Sequence, residues 1–94
     1  MFIERIKQLR EEQQLPLRKL AAALDIDSAT YWKFEKGDRR VKREYIPIIA
    51  KLLQTDEKEL LSLWLADQVT AVVANEEELA PEVMKIAQKN INKK

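Results

Sequence analysis

A single glycine, Gly37, and three prolines in 94 residues leave little turn material for a β-sheet. No stretch sustains the two-residue alternation of a half-buried strand, whereas apolar residues recur at helical spacing almost everywhere. Phe2, Ile6, Leu9 and Gln13 share one stripe. Leu17, Leu20, Ala21 and Leu24 fall at i, i+3, i+4 and i+7, just after Pro16, whose fixed φ suits a first turn. Asp27 is the expected N-cap of a segment over residues 28–36, and Gly37 the positive-φ residue that stops it. Ile46, Ile49, Ala50 and Leu53 form a fourth stripe, and Pro47 requires that helix to start near Arg43 or Glu44. Thr55 or Asp56 caps a fifth helix, with Glu59 completing a capping-box pattern, that runs to about Ala74. Residues 75–78 read as an acidic, solvated connector, and Pro81 opens a last amphipathic segment through Val83, Ile86, Ala87 and Ile91. The expected fold is all-α, with five or six helices.

What the chain lacks narrows the chemistry. It has neither Cys nor His, which removes thiol nucleophiles, the usual zinc sites and His-based triads. One glycine is too few for the phosphate-cradling loops of nucleotide-binding motifs. No carboxylate pair has a partner acid or base, so the expectation is a non-enzyme without metal, cofactor or small-molecule ligand. The N-terminus lacks the basic and apolar regions of a signal peptide. The most apolar stretch, residues 60–74, is interrupted by Ser62, Asp67, Gln68 and Thr70 and is shorter than the roughly 20 residues a bilayer span requires. A soluble, cytoplasmic chain with no membrane partner is expected.

The most informative unit is residues 17–37: two short helices joined by a tight turn, the dimensions of a helix-turn-helix. Leu20, Ala21 and Leu24 must face inward, and Ala21 lies where the helices cross, with no room for bulk. Ile26 plugs the turn, and Tyr31 and Phe34 supply the inward stripe of the second helix. Ser28, Ala29, Trp32, Lys33 and Lys36 are left on the opposite face, where they can enter a major groove.

The stretches Leu15-Pro16-Leu17-Arg18-Lys19-Leu20-Ala21 and Phe34-Glu35-Lys36-Gly37 resemble the Cro and phage-repressor group of regulators, the XRE family. The resemblance covers roughly residues 2–53. It implies a lambda-repressor-like DNA-binding domain and a partly buried ion pair, Arg10 with Glu35, tying the first helix to the recognition helix. The departures from the family pattern are specific. Pro16 stands for a capping Ser, and Leu17 for the Gln that in relatives reaches a phosphate or base. Asp25 stands for a turn Gly, and Val41-Lys42 for a Pro-Ser entry to the fourth helix. If the turn needs positive φ at position 25, Asp carries modest strain there.

Net charge is only +1, but its distribution is uneven: residues 1–56 hold twelve cations and nine anions, residues 57–94 five and seven. Lys33, Lys36, Arg39, Arg40, Lys42 and Arg43 against Glu35 and Asp38 give +4 within eleven residues, directly after the recognition helix. With Arg18 and Lys19 these cations are expected to straddle a DNA backbone. Trp32 has two readings: an indole covering the first helix or the Arg39-Arg40 loop, or a contact to a base edge. The fifth helix carries more apolar side chains than one face holds. Leu61, Trp64, Leu65, Val69, Val72 and Val73 are therefore expected to pair two copies, unless residues 81–91 fold back over them. Residues 1–56 then form the DNA-binding domain and 57–94 a C-terminal dimerisation extension. The expected protein is a homodimeric regulator binding a pseudo-palindromic operator in double-stranded DNA, its size and build similar to controller proteins of restriction–modification operons. The alternative is a helical interaction module or antitoxin whose main role is partner binding.

Overall fold

A computed structural model describes residues 1–93, which contain helices and turns and no strand among them. The helices are α1 (Phe2–Glu12), α2 (Leu17–Ala23), α3 (Ser28–Lys36), α4 (Ile46–Leu53), α5 (Glu57–Val72) and α6 (Ala80–Asn92). A 3-10 turn at Arg43–Tyr45 leads into α4, so Pro47 falls in the first turn, where its missing N–H costs nothing. The chain divides into two compact units, Met1–Trp64 and Leu65–Lys94, with α5 beginning in the first and ending in the second.

The first unit has a closed core. Helix α1 packs on α3 and α4, and α2 packs on the same two helices. Leu20, Ile6, Tyr31, Ile46, Ile49, Leu53 and Leu60 are almost wholly removed from water, and Ala21 is buried where α2 meets its neighbours. Tyr31 and Phe34 meet edge to face, with ring centroids 6.0 Å apart. Ile26 is half-buried against this core, as a turn plug should be. Leu60 is part of the core, and Leu61, Leu63 and Trp64 pack against it, so the first unit runs past residue 56. Gln13 sits on the α1 stripe but stays exposed; its amide donates to the Leu53 carbonyl at 2.6 Å.

Four helix ends share one geometry, and only one of them uses the glycine. In each, a residue in the left-handed region donates to a carbonyl three residues back, and the next residue donates to one five back. At α3 these bonds run from Gly37 to Phe34 and from Asp38 to Lys33, with Gly37 at φ +81°. At α2 they run from Asp25 to Ala22 and from Ile26 to Ala21, with Asp25 at φ +57°. The left-handed residues ending α1 and α4 are Gln14 and Gln54, both at φ +55°. The turn of the helix-turn-helix therefore does need positive φ at position 25, and Asp supplies it under strain.

The second unit is helical but open. Helix α5 ends at Val72, two residues before the expected Ala74, and α6 starts at Ala80 with Pro81 in its first turn. No residue from 65 to 93 is buried. Leu65, Val69 and Val72 on α5 are exposed, as are Val83, Met84, Ile86 and Ile91 on α6. Residues 81–91 thus leave the apolar side chains of the last two turns of α5 uncovered.

Candidate nucleic-acid interface

The geometry of the recognition helix begins at its N-cap. Asp27 is extended, and its carboxylate accepts the Thr30 N–H at 2.7 Å. Hydrogen bonding from Thr30 holds the Asp27 carboxyl below the usual carboxylate range, and the charges of Lys33 and Arg39 act in the same direction. From that cap α3 runs nine residues with Tyr31 and Phe34 inward. The outward positions Ser28, Ala29, Trp32, Lys33 and Lys36 are all exposed, as the spacing predicts.

Helix α3 is fixed in orientation by the expected ion pair. The Arg10 Nε–H donates to one Glu35 carboxylate oxygen at 2.8 Å and an Nη–H donates to the other at 3.0 Å. The remaining terminal nitrogen donates to the Leu15 carbonyl at 2.9 Å, so the guanidinium also holds the turn between α1 and α2. Both side chains are largely buried, and the Glu35 hydrogen bonds push the Arg10 pKa above its ordinary value. Beside them the Tyr31 hydroxyl is buried with no hydrogen-bond partner, and burial, with the Glu35 charge behind it, raises its pKa.

The candidate cations are all exposed, in different local states. Arg18 and Lys19 lie exposed at the start of α2, and Arg39, Arg40, Lys42 and Arg43 lie exposed in the segment after Gly37. Arg18, Lys19, Lys33, Arg39 and Arg43 form no ion pair among the described residues. Lys36 differs: its ammonium lies 3.0 Å from Asp38 and 4.0 Å from the centre of the Trp32 ring. Trp32 is half-exposed, and the cation on its face comes from the next turn of its own helix rather than from Arg39 or Arg40.

Arg40 stacks elsewhere. Its guanidinium lies 5.1 Å from the Trp64 ring centre, and the Trp64 indole N–H donates to the Val41 carbonyl at 2.8 Å. Val41 itself is buried. Sequence reasoning assigned Trp64 to a pairing surface and missed this arrangement. The partners are 23 residues apart, with no periodic signal to connect them. Of the other residues expected to pair two copies, Leu61 packs against the first unit's core, Leu65, Val69 and Val72 are exposed, and Val73 is half-buried.

This is an all-α unit whose second and third helices are joined by a four-residue turn and carry exposed polar and cationic side chains. The helix-turn-helix domain family model matches residues 3–63, well over half the chain. The chain belongs to that family, whose members use such a helix pair to bind DNA. No match was found among curated proteins or among solved structures. Among the described residues no helix is long and apolar enough to cross a membrane, and no group of acidic side chains could hold a metal ion.

Proposed function

We propose that this chain is a sequence-specific transcriptional regulator of the XRE type that binds a pseudo-palindromic operator as a homodimer. The observation that carries the reading is the exposure of every outer α3 position together with the exposed cations that precede and follow the helix in the chain, Arg18 and Lys19 before it and Arg39, Arg40, Lys42 and Arg43 after it. In this arrangement Ser28, Ala29, Trp32 and Lys33 enter the major groove. Lys36 joins them at the groove edge, where a phosphate competes with Asp38 for its ammonium. Arg18, Lys19, Arg39, Arg40, Lys42 and Arg43 clamp phosphates on either side.

The apolar side chains left exposed on the second unit support the homodimer. Leu61, Leu65, Val69, Val72 and Val73 are its proposed pairing residues, and Leu65, Val69 and Val72 have the most apolar surface to contribute; Trp64, engaged by Val41 and Arg40, is left out of that surface. Two copies joined there read half-sites about one helical turn, roughly 34 Å, apart. A restriction–modification operon is the proposed context; a methyltransferase gene found beside this one would support it, and an integrase or toxin gene there would count against it.

Selection of bound sites from random duplexes tests the reading. An inverted repeat with half-sites spaced by about 10 base pairs is the expected outcome. Combining Lys33→Ala with Arg40→Ala should weaken binding to all duplexes and flatten its salt dependence. Unchanged affinity of that double variant at 150 mM salt would overturn the surface assignment. The half-exposed Trp32 in the middle of the face favours one second reading, a protein-interaction module or antitoxin. Absence of salt-dependent retention on heparin or random DNA selects that alternative.

A further inference from the structure

The segment between α3 and the 3-10 turn is the least regular part of the first unit, and it carries Arg39, Arg40 and Lys42. A loop of neighbouring cations repels itself, and a floppy loop loses entropy each time it closes on a phosphate. Two contacts oppose that freedom here. The Val41 side chain is buried in the core, and its carbonyl accepts the Trp64 indole N–H at 2.8 Å. No other hydrogen bond to that carbonyl occurs among the described residues. One residue earlier, the Arg40 guanidinium lies over the Trp64 ring. A guanidinium stacked on an indole keeps its N–H edge free, already oriented, for a planar or tetrahedral anion.

We propose that Trp64 is a positioning residue for DNA binding: its N–H pins the Val41 backbone while its ring holds Arg40 in a phosphate-ready orientation. The proposal rests on the DNA-binding reading. It goes beyond it by assigning a role at the DNA surface to a residue of α5, which does not itself touch DNA. Arg40 is then distinct from Arg39 and Lys42, whose side chains contact no aromatic ring of the first unit beyond Tyr45, 5.9 Å from the Lys42 ammonium.

The test uses the full chain and a random-sequence duplex. Trp64→Leu, Trp64→Phe, Arg40→Gln and the double variant Trp64→Leu/Arg40→Gln are titrated with the duplex across a salt series. Trp64→Leu and Arg40→Gln should each lower the slope of log affinity against log salt by about one, the loss of one phosphate contact. The double variant should be no weaker than the worse single one, since both remove the same contact. Trp64→Phe, which keeps the ring and loses the N–H, should fall between wild type and Trp64→Leu. A merely structural role for Trp64 lowers the folded fraction but leaves the slope unchanged. Trypsin cleavage after Arg39 and Arg40 without DNA gives an independent readout and should be faster in Trp64→Phe than in wild type. Glu77→Gln, in the connector between α5 and α6, should leave that cleavage rate unchanged. An unchanged salt slope in Trp64→Leu, additive effects in the double variant, or unaltered cleavage in Trp64→Phe each overturns the positioning role. If wild type itself shows no salt-dependent binding, the DNA-binding reading falls as well, a result distinguishable from the other three.

Discussion

The two ends of α5 are both rich in apolar side chains and have opposite surroundings. Leu60, near the start, is completely buried in the core of the first unit; Val72, three turns later, is 80% exposed. The same contrast separates the units. The first closes four short helices and the first turns of α5 around fourteen buried apolar side chains, whereas the second holds apolar residues at helical spacing and buries none. Amphipathic periodicity therefore reports that a helix has a face to hide, not that the face is hidden. A closed core seats α3 against both α1 and α2. The exposed apolar side chains of the second unit are the ones that the proposed pairing of two copies would cover.

Matched truncations within α5 give the largest expected effect. Leu60→Ala should cost about 2–5 kcal/mol in denaturant unfolding through lost burial and a residual cavity. Val72→Ala, measured at a concentration low enough to keep the chain monomeric, should change stability by less than about 0.5 kcal/mol. Equal costs would abolish the contrast between the units. A Val72→Ala cost that appears only at high concentration would sharpen it, by locating that side chain in a pairing surface.

Removing Arg10 comes next. Arg10→Ala leaves the Glu35 carboxylate largely buried and unpaired and frees the Leu15 carbonyl, at an expected cost of about 3 kcal/mol. Replacing both partners at once, Arg10→Met with Glu35→Leu, should recover most of that loss, because the uncompensated charge goes too. Failure of the double variant to recover would mean that the pair fixes the α1–α3 geometry in a way packing cannot replace.

A smaller effect tests the helix stops. Gly37→Ala meets no atom within 4 Å of the added Cβ, so its cost is backbone strain alone, about 1 kcal/mol. The reverse change at a strained stop, Gln54→Gly, should gain up to about the same amount. A thermal melt of each variant reads the two signs directly.

The smallest expected effect concerns pH. The folded-state pKa of Asp27 is lowered, so the stability this N-cap contributes is present above the usual carboxylate range and is lost as pH falls through it, below about pH 4. Asp27→Ser caps α3 without titrating, so its stability should fall less than wild type's across that window. Parallel pH curves for the two would show that another carboxylate governs the acid limb.

Much of the site was legible in the sequence because its signals are local. The cap at Asp27, the stop at Gly37, the inward pair Tyr31 and Phe34 and the outward cations follow from positions within one helix of each other. The Arg10–Glu35 pair spans a longer interval and was anticipated from a family pattern, which carries three-dimensional information that spacing alone does not. The left-handed conformations of Gln14 and Gln54 had no such signal, since glutamine is no marker of positive φ. The extent of the first core was also hidden: Leu60 to Trp64 read as part of an apolar helix, and nothing local says which of its faces meets the core or the segment after α3.

By itself the sequence determined the helical class, the positions of the helix-turn-helix pair and the sign of charge on its outer face. Those follow from propensities, caps and periodicities that operate within about one turn of helix. Only the tertiary structure decided that Leu60 completes the core, that Lys36 shares its charge with Asp38, and that Trp64 rather than Trp32 holds Arg40. These depend on which side chains meet across gaps of chain. Burial, and the strength of a charge within it, are properties of the packed arrangement rather than of any one segment.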